Sequence, residues 1–323
     1  MLLDLLLVAG GLLILTVGGD KLVDFASALA EKAHVTKAVI GLTIVSAGTT
    51  FPELVVSVVA AIEGSPDIAL GNVVGSNLTN LTLVLGAAAV IATIPITAHA
   101  VRIDYPFCFL AGCVMLLLAR DGRIDRLEGL FMLLAVVAYL GWSVWTARMQ
   151  SSREERRELA ETVPEHADEL RHKPGWYLIG VLVLCLLSLG IGARLLITGA
   201  VSIAGFLGVS ERVIGLTIVA VGTSAPEIAT AIASSLKKSH ELAVANVIGA
   251  NILNTLFIPG AASLFGSIPV SEGFIRFDMW AMLAVTAVLG PFIFRIRHLG
   301  RATGTGFLAI YATYIAWLFT VGG

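Results

Sequence analysis

Long apolar runs alternate with short polar interruptions over almost the whole chain. A helix needs about 20 apolar residues to cross a bilayer, and this criterion predicts spans at roughly 2–30, 37–61, 67–92, 103–119, 127–147, 175–204, 211–236, 241–263, 276–294 and 304–321. One long polar stretch, from Arg148 to Lys173, is too hydrophilic to enter lipid. The pattern therefore predicts an all-α polytopic membrane protein with ten transmembrane helices.

The polar stretch divides the predicted spans into two sets of five. We expect a first five-helix repeat at 1–147, a polar tether at 148–174 and a second five-helix repeat at 175–323. Lys and Arg collect on the side of the tether, so the positive-inside rule predicts a cytoplasmic tether, with both termini outside a plasma or inner membrane. Because five is an odd number, equivalent helices cross in opposite directions, and we expect two inverted-topology repeats.

Composition supports a membrane protein and excludes several other classes. The 323 residues are 57% hydrophobic and 14% charged, as in stacked membrane helices. A net charge of −2 gives no indication of nucleic-acid binding. Cys108, Cys113 and Cys185 fit no metal or redox spacing. The apolar run from Leu2 to Gly19 lacks a basic leading region, so we interpret it as a retained span and not as a signal peptide.

Two unusual segments occur twice within this apolar sequence. Segment 41–53, GLTIVSAGTTFPE, returns 174 positions later at 215–227 as GLTIVAVGTSAPE. Segment 72–80, NVVGSNLTN, returns at the same offset at 246–254 as NVIGANILN. Proline, carboxylate and amides are costly in hydrocarbon, and such residues indicate an ion or substrate pathway.

The proline in each copy predicts a broken helix. Its ring lacks an N–H and collides with the carbonyl four residues earlier, at Gly48 and Gly222, and we expect these glycines to supply the backbone freedom of the break. Thr50 and Ser224 are suited to cap the helix that restarts with proline in its first turn. Carbonyl oxygens just before each break should then lack helical partners.

Glu53 and Glu227 directly follow the two prolines, near the middle of their spans. A lone carboxylate at that depth costs roughly 2.5–3.5 kcal/mol, so two of them require a cation. In an inverted arrangement the two breaks meet near the midplane and form an oxygen-lined, doubly negative cage, which suits a hard cation such as Ca²⁺. No thiol or imidazole stands beside either glutamate, which argues against zinc or copper.

The segments after the breaks add amides at helical spacing. One stripe carries Asn72, Ser76 and Asn80, and its equivalent carries Asn246, Ala250 and Asn254. We favour a site role for Asn80 and Asn254. For Asn72, Asn77, Asn246 and Asn251, ligation and adhesion between helices remain equally open.

The paired G-T-x-x-P-E and N-x-x-G-x-N-x-x-N segments resemble the alpha repeats of the calcium/cation antiporter superfamily, and most closely those of the small prokaryotic sodium/calcium exchangers. The resemblance implies alternating access, in which Ca²⁺ and Na⁺ compete for the same carboxylates while the first and sixth spans slide. It implies a transporter and not an enzyme, with these ions as cargo and no cofactor. The oligomeric state stays open.

The resemblance also implies a set of ion ligands. Glu53 and Glu227 would bind both ions. Thr49 and Thr223 would offer carbonyl and hydroxyl oxygens, with Thr50 and Ser224 beside them, and Ser46 and Ala220 would offer carbonyl oxygens to flanking Na⁺ sites. Ser76 would offer a hydroxyl, and Asn80 and Asn254 would lie at the rim of the central site. Ala250 departs from the pattern, because a second serine is expected there, and it puts one Na⁺ site in doubt. Asn254 replaces the aspartate of potassium-dependent relatives, so K⁺ co-transport is not expected.

The sequence leaves several functions open. Electrogenic Na⁺/Ca²⁺ exchange is the favoured function, because two negative charges match one Ca²⁺ whereas three Na⁺ leave an excess positive charge. H⁺/Ca²⁺ exchange at the same glutamates is the alternative, since a desolvated carboxyl group can trade Ca²⁺ for protons. A cation channel fits an inverted repeat with broken helices less well. An intramembrane hydrolase would need H-E-x-x-H, G-x-S-x-G or a similar motif at membrane depth, and the chain has neither of these two.

Overall fold

The computed structural model describes residues 1–33, 46–96, 100–150, 165–236 and 241–320. Within these ranges the chain is almost entirely helical. The first half contains α1 (Leu2–Lys32), a short α2 (Ser46–Thr49), α3 (Phe51–Ile62), α4 (Pro66–Ile91), α5 (Val101–Asp121) and α6 (Arg126–Gln150).

The second half repeats this order of elements. After a short α7 (Glu165–Leu170) come α8 (Gly175–Leu207), α9 (Glu211–Ile214, Gly215–Val219 and Ala220–Thr223), α10 (Ala225–Leu236), α11 (Glu241–Ile252, Leu253–Phe257 and Ile258–Phe265), α12 (Phe274–Ile296) and α13 (Arg301–Thr320). By position, α8 corresponds to α1, α10 to α3, α11 to α4, α12 to α5 and α13 to α6. The repetition seen in two motifs thus extends to the helices around them.

In the described part of the chain, 8 helices are long and apolar enough to cross a membrane. They are α1, α4, α5, α6, α8, α11, α12 and α13, each near a predicted span. The predicted span 211–236 is missing from this set because a break at Ser224 divides it into shorter pieces, and a break at Thr50 divides the described part of span 37–61, residues 46–61. Residues 37–45, and residues 151–164 of the predicted tether, lie outside the described residues. The chain is an all-α, multi-pass membrane protein.

The helices differ in how deeply they lie in the bundle. An apolar 18-residue stretch is 78% buried in α4 and in α11, but only 28% buried in α1 and in α8. The motif-bearing helices α4 and α11 are therefore central, whereas α1 and α8 are peripheral. α1 and α8 pack along each other, and a Cβ atom added at Gly11 would lie 2.7 Å from the carbonyl oxygen of Gly192.

The predicted helix breaks are present, and each is one residue long. α2 ends at Thr49 and α3 begins at Phe51, while α9 ends at Thr223 and α10 begins at Ala225. The Ala220 carbonyl still accepts the backbone N–H of Ser224 at 3.1 Å. The expectation of a carbonyl without a helical partner at this position was therefore wrong.

The predicted capping role of Thr50 was also wrong. The Thr50 side chain makes no capping hydrogen bond, and its backbone stays in the helical region at φ −85 and ψ −3. Near-helical backbone gives little access to the amides that a cap would satisfy. The hydroxyl of Ser224 donates to Glu53 in the other half of the molecule.

The glycines before the breaks have a different role from the one expected. Positive φ among the described glycines occurs at Gly64, Gly122 and Gly208, and so at neither Gly48 nor Gly222. A Cβ atom at Gly48 would collide with Val23 of α1, and one at Gly222 would collide with Leu12 of α1. These two glycines therefore allow α1 to lie directly against both helix breaks.

Two short antiparallel strand pairs join the halves. β1 (Ile94–Pro95) pairs with β4 (His298–Leu299), and β2 (Arg123–Ile124) pairs with β3 (Ile268–Pro269). Each pair takes one strand from each half, so the connections between helices tie the two halves together.

Candidate cation site

Glu53 and Glu227 occupy the first turns of α3 and α10, directly after the two breaks. Their exposures are 0% and 1%. Although 174 positions separate them in sequence, the two carboxyl groups are electrostatic neighbours. The fold thus brings together the two acidic residues that the repeated motif singled out.

Polar side chains of both halves surround Glu53. The Ser224 hydroxyl donates to Glu53 Oε1 at 3.2 Å. Asn72 Nδ2 donates to the Glu53 backbone carbonyl at 3.1 Å and to Ser57 Oγ at 2.9 Å, and Asn72 Oδ1 accepts from Thr223 Oγ1 at 2.9 Å. Because both the NH₂ and the oxygen of the Asn72 amide are hydrogen-bonded to protein groups, Asn72 connects α4 to α3 and α9.

Several buried oxygens nearby have no hydrogen-bond partner among the described residues. They are Glu53 Oε2, Glu227 Oε1 and Oε2, Ser76 Oγ, Asn80 Oδ1 and Asn254 Oδ1. A buried polar atom without a partner carries a desolvation cost, which is larger for a charged group. Oxygen atoms that accept no hydrogen bond from the protein are suited to bind a cation.

The chemistry of these groups favours hard cations. No group of three or more His, Cys, Asp or Glu side chains able to hold a metal occurs in the part of the chain that the structure describes. Two carboxylates with neutral hydroxyl, amide and carbonyl oxygens suit Ca²⁺ and Na⁺, whereas softer transition metals prefer thiolate and imidazole ligands.

Helix packing brings the amide stripes towards the glutamates. α10, which carries Glu227, packs against the π-helical turn Asn80–Val84 of α4. α3, which carries Glu53, packs against the corresponding π-helical turn Leu253–Phe257 of α11. Single π-helical turns inside α-helices are frequent at functional sites, and here each one contains a favoured asparagine.

The remaining predicted site residues have different surroundings. Thr223 and Ser224 are buried beside Glu53, and Thr49 is half-buried with its side chain beside the Glu227 carboxyl group. Thr50 and Ala220 are buried at the breaks. Ser46 begins α2, but its side chain is outside the described part of the structure.

A second pair of buried acidic residues was missed by the sequence analysis. Asp278 is fully buried, with Oδ2 2.5 Å from Arg212 and Oδ1 accepting from the Tyr314 hydroxyl at 3.1 Å. In the first half, Asp104 Oδ1 accepts from the Tyr139 hydroxyl at 2.9 Å. Asp104 and Asp278 share the 174-position offset of the glutamates, and this shared offset was the signal that could have revealed them.

Fold and geometry together define an integral membrane protein with a buried cluster of carboxyl, hydroxyl and amide oxygens at the contact of two similar halves. The family model for sodium/calcium exchanger proteins matches residues 3–145 and 177–320. The chain therefore belongs to the sodium/calcium exchanger protein family, and the resemblance to prokaryotic calcium/cation antiporters is confirmed. Members of this family are membrane antiporters of cations.

Individual relatives match over nearly their full lengths. The putative antiporter CaxA of Alkalimonas amylolytica is 33% identical, over 99% of this chain and 100% of the relative. The sodium/calcium exchanger MaX1 of Methanosarcina acetivorans is 29% identical, over 96% of this chain and 97% of the relative. A solved structure of the sodium-calcium exchanger NCX_Mj, soaked with Na⁺ and Ca²⁺, is similar with a TM-score of 0.65 and 28% identity, over 98% of this chain and 99% of that chain.

Proposed function

We propose that this protein exchanges Ca²⁺ for Na⁺ across a cell membrane, by alternating access at a site between Glu53 and Glu227. The observation that carries the proposal is the meeting of two wholly buried carboxyl groups from different halves, with three carboxylate oxygens that no described residue hydrogen-bonds. A single Ca²⁺ balances two carboxylates. Three Na⁺ ions at the same place leave an excess positive charge, so the exchange is electrogenic.

The proposed ligands surround these two carboxylates. Glu53 and Glu227 bind both ions, with Thr49, Thr223, Thr50 and Ser224 beside them, Ser46 and Ala220 at flanking Na⁺ sites, and Ser76, Asn80 and Asn254 on the companion helices. Unsatisfied oxygens of Ser76, Asn80 and Asn254 support their inclusion. Ala220 retains a role because a carbonyl oxygen has two lone pairs. One accepts the Ser224 N–H, and the other stays available when the Thr223 hydroxyl, 3.3 Å away, donates its single proton to Asn72 at 2.9 Å.

The proposed topology adds two broken spans to the eight long helices. α2–α3 and α9–α10 then each cross once, making ten crossings in two inverted repeats, 1–147 and 175–323. The tether 148–174 lies in the cytoplasm and both termini lie outside. Matching element order at nearly constant offset in the two halves supports this arrangement, and broken helices that meet at the midplane are typical of such transporters.

α1 and α8 are the proposed sliding pair. They pack along each other at the periphery of the bundle, and α1 contacts Gly48 and Gly222, beside both breaks. Movement of α1 along its axis therefore changes what covers the two breaks. Glycine at the contact surfaces leaves no side chain there to interlock with α1.

H⁺/Ca²⁺ exchange is the second candidate. Among the described residues, no Lys or Arg forms a salt bridge with Glu53 or Glu227, although both are buried. A buried carboxyl group without a basic partner needs a bound cation or a proton to avoid the cost of an unpaired charge. A proton is thus a chemically reasonable replacement for Na⁺.

Reconstituted protein separates the two candidates. Proteoliposomes loaded with Na⁺ should take up Ca²⁺ from a Na⁺-free medium, and an inside-positive potential should accelerate the uptake because net positive charge leaves. Liposomes with equal Na⁺ on both sides and a pH gradient should take up little. Uptake that follows the pH gradient and ignores the Na⁺ gradient would establish the proton exchanger instead.

Neutral replacements test the two glutamates. Glu53→Gln and Glu227→Gln should each reduce Na⁺-dependent Ca²⁺ uptake to the level of empty liposomes, because each removes a charge that the bound Ca²⁺ requires. Glu272→Gln is the matched control, since Glu272 is 71% exposed and pairs with Arg276 on the surface; it should transport as the unchanged protein does. Normal uptake by either Glu53→Gln or Glu227→Gln would contradict the proposed site.

A further inference from the structure

A chain of buried amides links α4 to α11 beside the candidate site. Asn251 Nδ2 donates to the backbone carbonyl of Asn77 at 3.2 Å, and Asn80 Nδ2 donates to Asn251 Oδ1 at 3.1 Å. The three side chains are 1% exposed or less. Asn251 therefore connects a carbonyl of α4 to a proposed ligand one turn further along the same helix.

The direction of these hydrogen bonds follows from the chemistry of the first acceptor. A backbone carbonyl can only accept, so the group of Asn251 that faces Asn77 must be the NH₂. Its oxygen then faces Asn80, and this oxygen can be satisfied only by the NH₂ of Asn80. The Asn80 oxygen is consequently turned away from Asn251, and it has no hydrogen-bond partner among the described residues.

A second branch fixes the side chain of Asn77 in the same way. Thr255 Oγ1 donates to the Asn251 carbonyl at 2.7 Å, so it accepts from Asn77, whose Nδ2 lies 2.9 Å away. Asn77 Oδ1 is left without a described partner. The polarity of this network is thus anchored at both ends by backbone carbonyls.

The corresponding bond in the second half is not formed. By the 174-position offset, Asn254 corresponds to Asn80 and Asn251 to Asn77. The equivalent bond would join Asn254 Nδ2 to Asn77 Oδ1, yet neither atom has a hydrogen-bond partner in the described part of the chain. Of the two rim asparagines, Asn80 therefore has a fixed amide orientation and Asn254 does not.

We propose that Asn251 is a positioning residue, which holds the Asn80 amide with its oxygen and not its NH₂ available to the transported cation. The inference rests on the proposed function, because it assigns a task within the same site. An amide oxygen attracts a cation, whereas an amide NH₂ repels it. Without Asn251, the Asn80 amide can rotate and present either end.

A double-mutant cycle on the Ca²⁺ dependence of transport tests the proposal. Asn251→Leu removes both hydrogen bonds at similar volume and should raise the KM for Ca²⁺ about 3- to 10-fold, the effect expected from one hydrogen bond, with little change in maximal rate. Asn80→Leu should raise the KM at least as much. The double variant should match Asn80→Leu alone, because Asn251 acts only through Asn80.

Thr255→Val is the matched structural control. It removes the second branch and disturbs the same buried network, but it leaves Asn251 bonded to Asn80. We expect a lower Tm with an unchanged KM for Ca²⁺. If Thr255→Val raises the KM as much as Asn251→Leu does, or if the Asn251 and Asn80 effects simply add, Asn251 is only a packing residue and the proposal fails.

One further measurement and one replacement pair of variants complete the test. Calorimetric titration of the purified protein with Ca²⁺ repeats the cycle on binding alone, so a protein that binds Ca²⁺ but shows no Na⁺-driven uptake would refute the proposed exchange and still test Asn251. Should Asn251→Leu fail to fold, the cycle of Asn251→Ala with Asn80→Ala takes its place, judged by the same rule.

Discussion

Single residues determine how far the two halves of the site differ. Ser76 places a buried hydroxyl without a described partner on α4, whereas the equivalent position on α11 is Ala250, fully buried and without an oxygen. Under the proposed function, a Na⁺ ion near α11 would therefore have one side-chain ligand fewer than a Na⁺ ion near α4. Both helices consist of an α-helical segment, a π-helical turn and a second α-helical segment, so the difference at this position lies in the side chain.

Ala250→Ser should strengthen Na⁺ binding. The added hydroxyl supplies the missing oxygen ligand. If this ligand contributes as much binding energy as one hydrogen bond, the half-saturating Na⁺ concentration should fall about 2- to 10-fold. The Na⁺ dependence of Ca²⁺ uptake measures it. Ala262→Ser, at another buried position of α11, should leave this concentration unchanged, and an equal shift in both variants would exclude a specific ligand at position 250.

At the scale of elements, close backbone contact decides where the motif-bearing helices cross. α4 meets α9 at Gly71 and Gly215, and a Cβ atom at Gly71 would lie 2.8 Å from the Cα atom of Gly215. A side chain there would have to separate the two backbones. The contact holds the asparagine-bearing α4 against the helix that ends at Thr223 and the second break.

Gly71→Ala should destabilise the protein and impair transport together. Overpacking of this kind typically costs about 1–3 kcal/mol, and neither neighbouring group is a flexible side chain that can move aside. A lower Tm of the purified protein and slower Ca²⁺ uptake are the expected results. Gly141→Ala, where a Cβ atom would meet nothing within 4 Å, should change neither, and an unchanged Tm for Gly71→Ala would contradict the tight crossing.

At the scale of the whole molecule, the proposed inverted topology requires the loops to alternate between the two sides. The two strand pairs connect different loops of the two halves. Under this topology the pair β2–β3 lies outside with Glu272, and the pair β1–β4 lies inside, on the same side as the tether with Glu169.

Cysteine labelling in intact cells tests this arrangement. Glu272→Cys should react with a membrane-impermeant maleimide added outside, whereas Glu169→Cys should react only after the cells are opened. Both positions are exposed. Of the native cysteines, Cys108 and Cys185 are buried and Cys113 is half-buried, so labelling of the unsubstituted protein measures the background. Labelling of both variants from the same side would rule out the proposed topology.

Much of this protein follows from the sequence by itself. Long apolar runs predicted the eight long helices near their observed positions, because lipid demands a fixed length of apolar helix. The doubled motif identified the family and predicted that Glu53 and Glu227 would meet. Both inferences depend on spacing and residue type, which are properties of the chain alone.

Only the tertiary structure decided which groups pack against, pair with or hydrogen-bond to one another. It showed that Gly48 and Gly222 make room for α1, that Asn72 hydrogen-bonds to the Glu53 carbonyl, that Arg212 pairs with Asp278, and that Asn80 donates a hydrogen bond to Asn251. The close approach of two helices and the direction of a hydrogen bond depend on which helices cross and where along their length they cross. Residues that are far apart in sequence jointly determine these crossings. For that reason the repeat could reveal the two carboxylates but not the polarity of the amides around them.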